Sequence, residues 1–292
     1  MCDKRGEEDM KENPMDILVE TSGKTTGALV GAVFSGAVPG AKGIAGGAVI
    51  GSAVETVIQW AGTEIKNRYL SKAERQKVDV VYRCAVEKIS RNLILGRQLR
   101  ADDFFEYKIT ERSSAEEIFE GMLLIAQREY EEKKIPYIAN LYANIIFDQK
   151  IDRGMANQLL KTASELTYRQ LVILRVIGDY QFECLSDPPL INTKYTSIKG
   201  NSNISIATEI YELYRKGLIF HRTALVSQAG MVPAELKIGG VGECLFYLME
   251  LKDMRYDDVA ETIIEFLTKE PVRNGEQNEI SESEVSAYFK YS

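Results

Sequence analysis

The side chains that most often bind metals are sparse in this sequence. His221 is the only histidine, and Cys2, Cys84, Cys184 and Cys244 are widely separated and form no CxxC pair. A structural zinc site needs about four nitrogen or sulfur ligands at short spacing. We therefore predict no metal and no cofactor, and we expect the cysteines to be free thiols in a reducing compartment.

Nucleophilic catalysis by a Ser/His/Asp or Cys/His arrangement would have to use the single histidine. His221 lies at the edge of a predicted strand, close in sequence to the basic residues Arg215, Lys216 and Arg222. We expect it at the protein surface, and we assign no catalytic residue.

Four carboxylates in one predicted helix could suggest a metal site. They are Glu116, Glu117, Glu120 and Glu129. Di-metal sites in helical bundles pair such residues with Glu-x-x-His motifs, and one histidine cannot serve both halves of such a site. We therefore expect these carboxylates to form a solvated helix face.

The sequence GKTT at Gly23–Thr26 resembles part of a phosphate-binding loop. A complete loop has another glycine five residues before the glycine of GKT, so that backbone amides can surround a phosphate. That position is occupied by Leu18. Phosphate binding is not predicted, and nothing in the chain has the pattern of an enzyme active site.

The most informative feature is a glycine stripe near the start of the chain. Between Lys24 and Glu55 the only charged residue is Lys42. A glycine inside a helix costs roughly 0.5–1 kcal/mol relative to alanine, so glycines repeated every four residues indicate close approach of another backbone. The predicted packing or oligomerisation residues are Gly23, Gly27, Gly31, Gly36, Gly40, Gly43, Gly47 and Gly51.

These glycines predict a helical hairpin over residues 23–62, with its turn at Pro39–Gly43. A membrane span needs roughly 20 apolar residues. The first arm is shorter than that, and the second reaches this length only if Glu55 is tolerated within it. Three interpretations stay open. The hairpin inserts into a membrane conditionally or as an oligomer, it stays in water against other helices or copies of itself, or it is a permanent anchor.

The middle region, residues 67–165, is predicted to be helical. Ser71, with a glutamate three residues later, has the pattern of a capping box for a helix that continues to about residue 103. A second helix is expected to begin at Ser113 or Ser114, and Asp152 is expected to cap a third. Pro136 is expected to break the helix that begins at Ser113.

The C-terminal region, residues 166–255, has the order of elements typical of a winged-helix domain. Thr167 is a predicted helix cap, and a polar loop and a second helix follow. Gly217–Phe220 and Glu235–Gly240 then read as two strands on either side of a loop. A last helix begins at Val241.

Composition and charge narrow the functional class. The chain has 292 residues, a net charge of −7 and a pI near 5.1, which argues against bulk nucleic-acid affinity. Residues 1–22 form a polar tail without the apolar core of a secretory signal, and residues 256–292 read as a helix and an acidic tail. We expect a cytoplasmic protein, peripheral to or inserted in the inner membrane if the hairpin meets lipid.

A local basic cluster in the C-terminal region could touch phosphates. The predicted recognition helix also carries Glu209 and Glu212, which would repel them. Nucleic-acid binding is therefore disfavoured, and a protein-interaction or packing module is favoured. The candidate contacts are Lys194, Lys199, Arg215, Lys216 and Arg222.

Residues 133–174 resemble bacterial abortive-infection alpha-type proteins. The likeness rests on Asn140-Leu141-Tyr142-Ala143-Asn144 and on Leu166-Thr167-Tyr168-Arg169-Gln170. In that family a helix with an "NLLA" element is followed by an acidic break and a helix leading to an "LS/T-x-x-Q/E" start. The resemblance implies a role in phage defence or growth arrest, and it supplies no catalytic residues.

The fold class predicted from these features is mainly α, with a glycine-zipper hairpin, a helical middle region and a winged-helix-like C-terminal domain. The leading function is a non-enzymatic effector or accessory protein that binds a protein partner and acts through oligomerisation or membrane insertion of the hairpin. The alternative is a cytosolic winged-helix regulator or interaction module whose hairpin only mediates oligomerisation.

Overall fold

The computed structural model describes residues 47–107, 112–182, 190–221, 226–254 and Val259. Most of these residues are helical, which confirms the mainly α fold class. The eight described helices are α1 (Gly47–Asn67), α2 (Lys72–Ile94), α3 (Ser114–Arg128), α4 (Ile135–Ile145), α5 (Arg153–Glu165), α6 (Tyr168–Phe182), α7 (Asn201–Arg215) and α8 (Val241–Leu248).

Polar caps begin the helices where the sequence predicted them. The Ser71 hydroxyl accepts a hydrogen bond from the Glu74 amide at 3.3 Å, and the Glu74 carboxylate accepts one from the Ser71 amide at 2.8 Å. Ser113 and Asp152 accept bonds in the same way at the starts of α3 and α5. Because each cap satisfies amides that have no partner inside the helix, the starting points are fixed locally.

Two predicted boundaries are wrong. The α2 helix ends at Ile94 rather than near residue 103. Pro136 does not break α3, which ends at Arg128; it lies in the first turn of α4. Proline suits that position because the first amides of a helix lack intrahelical partners anyway.

The helical unit, defined here as residues 47–165, contains the larger core. α2 packs along α4 and α3, and α3 also contacts α1, α4 and α5. At its centre the Phe119 ring lies 4.7 Å from the Tyr142 ring and 6.2 Å from the Tyr82 ring, both edge to face. These three rings are at most 2% exposed, so this aromatic contact joins α2, α3 and α4.

The C-terminal unit, defined here as residues 166–254, contains α6, α7, α8 and a small sheet. Strands β1 (Ile219–His221) and β2 (Leu236–Ile238) pair antiparallel, with Ile219 opposite Ile238. Gly217 has a φ of +69° between α7 and β1, a conformation that glycine adopts without strain. The outer edge of β2 is bonded by Gln181, whose amide side chain accepts from the Ile238 N–H at 2.9 Å and donates to the Ile238 carbonyl at 3.2 Å.

Candidate interaction sites

The described part of the glycine stripe lies in α1. Gly47 and Gly51 belong to one uninterrupted helix that continues to Asn67, whereas the stripe positions from Gly23 to Gly43 lie outside the described residues. The Pro39–Gly43 turn and Gly23–Thr26 lie outside them as well.

The two glycines are in register with the face of α1 that packs on the helical unit. Gly47 stands seven residues before Val54, and Gly51 seven residues before Ile58, so each pair shares one side of the helix. Val54, Ile58 and Ala61 are at most 3% exposed. The glycine stripe and the buried stripe are therefore one continuous face.

Contacts to α2 and α3 hold α1 in place. The Tyr82 hydroxyl donates a hydrogen bond to the Ile58 carbonyl at 3.4 Å, and the Arg68 guanidinium pairs with Glu120 at 2.6 Å. No helix in the part of the chain that the structure describes is long and apolar enough to cross a membrane.

The predicted nucleic-acid contacts do not form one cluster. Lys194 and Lys199 are exposed before the start of α7, whereas Arg215 and Lys216 are exposed at its far end. A 15-residue helix separates the two pairs, which corresponds to about 22 Å. Lys216 is paired with Glu165 at 2.6 Å, and Arg222 lies outside the described residues.

The acidic residues of α7 make contacts within the protein. Glu209 receives two hydrogen bonds from Arg169, at 2.7 and 3.0 Å, and Glu212 accepts one from Gln170 at 3.0 Å. A fork of this kind partly neutralises the carboxylate. The repulsion of phosphates expected from Glu209 is correspondingly reduced.

The net charge lies outside both units. Residues 47–165 contain equal numbers of acidic and basic residues, and so do residues 166–254. The net charge of −7 therefore comes entirely from residues 1–46 and 255–292. Neither unit has the overall positive charge that typically attracts nucleic acid.

The expectation of a solvated carboxylate face is wrong. Glu116 is only 2% exposed and accepts a hydrogen bond from the Tyr107 hydroxyl, which raises the pKa of Tyr107 to about 12. Glu117 pairs with Arg153 and accepts a bond from Asn157. The side chains bridge neighbouring elements because each acidic group has a basic or polar partner within reach.

Glu129 forms a buried ion pair with Lys134 at 2.5 Å, and the two residues are only 6% and 2% exposed. The Glu129 carboxylate also accepts hydrogen bonds from the amides of Tyr130 and Glu131, both at 3.0 Å.

Among the residues that the structure describes, no three His, Cys, Asp or Glu side chains are grouped so that they could hold a metal ion.

The expected surface position of His221 is also wrong. His221 is 7% exposed because it faces inward from β1, together with Ile219, whereas Phe220 between them faces outward. Its Nε2 lies 3.2 Å from the Glu235 carboxylate. The alternation of a strand, in which every second residue shares a face, explains the burial.

Two of the four cysteines are described. Cys84 on α2 and Cys244 on α8 are free, half-buried thiols. Burial raises the pKa of both thiols. A raised pKa lowers the fraction of each cysteine in the reactive thiolate form.

The structure contains a polar site that the sequence interpretation missed. Asn144 on α4 is 3% exposed and accepts hydrogen bonds from Asn92 at 3.2 Å and Arg97 at 2.6 Å. Its own amide donates to the Leu248 carbonyl at 2.9 Å and to the Glu250 carboxylate at 3.2 Å. One buried amide thus connects the helical unit to the end of α8.

Other side chains bind the same end of α8. Asn140, one helical turn before Asn144, donates to the Met249 carbonyl at 3.2 Å, and Arg175 of α6 donates to the Leu251 carbonyl at 3.3 Å. Lys88 of α2 pairs with the Glu250 carboxylate. We call residues 248–251 and these partners the α8 joint.

One sequence signal could have identified the joint. Asn140 and Asn144 are the two asparagines of α4, a helix whose other residues from 135 to 145 are all apolar or aromatic. Amides four residues apart lie on one helix face, and buried amides require partners. The partners are more than 100 residues away in sequence for the α8 contacts, so their identity needed the structure.

Comparison with known proteins does not place the chain in a family. No protein-family model, curated protein or solved structure matches it. The resemblance of residues 133–174 to abortive-infection alpha-type proteins stays a prediction. In this protein Asn140 and Asn144, which carry part of the resemblance, make contacts between the two units at the α8 joint. Arg169 and Gln170 bind α7 within the C-terminal unit.

Proposed function

We propose that this protein is a non-enzymatic effector or accessory protein of bacteria, which acts in phage defence or growth arrest. Its glycine-zipper hairpin would self-associate or enter a membrane conditionally, while the rest of the chain would bind a protein partner. The observation that carries this proposal is the continuity of α1, in which Gly47 and Gly51 precede the buried residues Val54 and Ile58 on the same helix face.

The anchoring of α1 supports this mode of action. Ala61 and Ile65 are at most 1% exposed, so the second half of the helix is fixed on the helical unit. Each residue of an α-helix is rotated by a fixed angle from the one before it. Fixing one half of the helix therefore also fixes the direction that the glycine face of the other half points in. The helical unit would therefore act as the base from which the glycine face is oriented toward a second helix.

The chemistry of the stripe determines which occupant fits. Glycine and alanine contribute little to the free energy of transfer from water into a membrane, but they allow two backbones to approach closely. Tight helix pairing satisfies this surface in water or in lipid, and assembly of several copies would offset the weak hydrophobicity of each arm. Self-association is accordingly the primary event, and membrane insertion depends on it.

The test is the oligomeric mass in plain buffer and in detergent, measured by analytical ultracentrifugation, together with leakage from liposomes. Replacing Gly47 and Gly51 with leucine, or Gly27 and Gly31 with leucine, should abolish self-association and leave the helical unit folded by circular dichroism. Gly154→Leu is the matched control, because Gly154 is an exposed helical glycine of α5.

The result of these measurements is decisive for the proposal. Wild-type protein that is monomeric in both media, or glycine variants that associate as the wild type does, would exclude it. Self-association without any liposome leakage would keep the oligomer and remove the membrane step.

A second candidate is a regulator in which the C-terminal unit is a winged-helix-like module and the hairpin only brings copies together. The observation in its favour is the pairing of Glu209 with Arg169, which offsets one negative charge on α7. Duplex DNA binding should then weaken with salt and with Lys199→Glu. Lack of binding at high micromolar protein in low salt would exclude this candidate.

A further inference from the structure

The C-terminal end of α8 is held by side chains of other helices. The last carbonyls of a helix have no partner within it. Here the carbonyls of Leu248, Met249 and Leu251 accept hydrogen bonds from Asn144, Asn140 and Arg175. The contacts at Leu248 and Met249 come from α4 of the helical unit, whereas Arg175 of α6 binds Leu251 within the C-terminal unit.

Glu250 has an unusual backbone within this end. Its φ of +54° and ψ of +49° are left-handed, and it is the only residue other than glycine with positive φ in the part of the chain that the structure describes. Glycine or asparagine is usual just after a helix because other residues are strained there. A glutamate in this conformation persists where the surrounding structure offsets the strain.

The compensation comes from the helical unit. The Glu250 carboxylate pairs with Lys88 of α2 and accepts a hydrogen bond from Asn144 of α4. Lys88 is half-buried and Asn144 is buried, so both interactions are shielded from solvent. Ion pairs and hydrogen bonds are stronger in such surroundings than in water. The strained backbone and its compensation are in different units, and separation of the units would release both.

We propose that the α8 joint is a latch: the Lys88–Glu250 ion pair keeps α8 closed on the helical unit against the backbone strain of Glu250. Opening the latch separates α8 from α4 and α5 of the helical unit, against which it packs. The contacts of α8 with α6 lie within the C-terminal unit and stay in place, as where the Phe246 ring packs on Phe182.

Hydrogen exchange of the full chain, followed by mass spectrometry, tests the latch. Peptides from α8 report its opening, and peptides from residues 75–84 of α2, which exclude Lys88, provide an internal reference. Glu250→Gln and Lys88→Met should each accelerate exchange in α8 by about tenfold, with little change in α2, because each removes a shielded charged contact. The double variant should add little to either single variant, since both remove the same ion pair.

Glu250→Gly separates strain from charge. This variant loses the ion pair but places a residue without strain at the left-handed position. Its α8 should exchange more slowly than that of Glu250→Gln. Glu165→Gln is the matched control, because it removes the more exposed Lys216–Glu165 pair, and it should leave exchange in α8 unchanged.

Three results would overturn the latch. Exchange in α8 that stays at the wild-type rate in Glu250→Gln and Lys88→Met would show that the pair does not hold it. Equal acceleration in α8 and α2 would show that the protein opens as a whole. Equal rates for Glu250→Gly and Glu250→Gln would remove backbone strain from the mechanism.

Discussion

The helical unit and the C-terminal unit use different means to bring their elements together. Charged side chains link the helices of the first, as in the Arg68–Glu120 and Lys134–Glu129 pairs. The second has the Arg169–Glu209 pair between α6 and α7 and adds close contacts at glycine. A Cβ at Gly178 or Gly239 would overlap the ring of Phe246 or Phe220, respectively.

The comparison shows two ways in which neighbouring elements of a protein can be held together. Ion pairs between helices tolerate adjustment because their side chains are long, so the helical unit can accommodate many surface changes. A glycine contact leaves no room for adjustment, because the neighbouring atoms occupy the place of a side chain. The C-terminal unit should therefore be sensitive at a few backbone positions, and the helical unit at its few buried charges.

The largest effect is expected from Lys134→Met in the helical unit. It leaves Glu129 buried without its cation, which should destabilise folding by about 3–5 kcal/mol. The midpoint of urea unfolding measures the change. Combining it with Glu129→Gln should recover part of the loss, and a double variant as unstable as the single variant would contradict the interpretation.

A slightly smaller effect is expected from Gly242→Ala in the C-terminal unit. The added Cβ would overlap the Leu218 carbonyl oxygen, and a backbone atom cannot move aside as a side chain can. We expect a loss of about 3 kcal/mol. Gly154→Ala is the control, because Gly154 is an exposed residue of α5. This variant should stabilise the protein by about 0.5–1 kcal/mol. Equal behaviour of the two variants would remove the contrast between the units.

Asn144→Ala tests the place where the units meet. It removes the acceptor of Asn92 and Arg97 and the donor to the Leu248 carbonyl. Because buried polar groups then lose their partners, we expect a loss of about 2 kcal/mol. Two separate unfolding transitions in this variant would indicate that the amide also couples the units.

Asp152→Ala should cost about 1 kcal/mol, since it removes the side chain that accepts from the Met155 amide at the start of α5. The loss should be measurable as a small decrease in the urea midpoint. Asp152→Asn should retain most of the stability, because asparagine caps helices equally well. A loss of the same size in both variants would contradict the capping role.

The smallest effect concerns acid. Glu74, Asp102, Glu117 and Glu165 have lowered pKa values, and all four belong to the helical unit. Hydrogen bonds, first from the Ser71 side chain and then from Gln127, lower the pKa of Glu74 from 4.5 to about 2. A carboxylate whose pKa is lower in the folded than in the unfolded protein stabilises the fold at pH values above its unfolded pKa. This contribution disappears as the pH falls through the folded pKa.

The expected consequence is a difference between wild type and Glu74→Gln that depends on pH. The wild type should lose its advantage as the pH falls from 4.5 toward 2, and the two proteins should converge below that range. Urea midpoints at several pH values measure the difference. A difference that is constant over this range would show that the charge of Glu74 does not contribute.

The sequence predicted the features that are encoded locally. Ser71, Ser113 and Asp152 begin helices because a cap needs only its own first turn, and the strand segments around Ile219 and Ile238 follow from the glycines and apolar residues beside them. The mainly α fold class follows from the same local patterns.

Features that depend on how the helices and loops pack together were predicted poorly. Glu116 and Glu129 have the composition of a solvated face, and only the fold reveals that Tyr107 and Lys134 lie beside them. His221 was misplaced because a three-residue strand gives too short an alternation to identify its inner face. The α8 joint required contacts across most of the chain.

The side chain of Gln181 has a consequence for association between molecules. By bonding both the N–H and the carbonyl of Ile238, it occupies the position that a third strand would take beside β2. An exposed edge invites strands of other molecules to add on, which leads to aggregation. A single glutamine side chain thus covers this edge of the sheet, and no further strand is needed to do so.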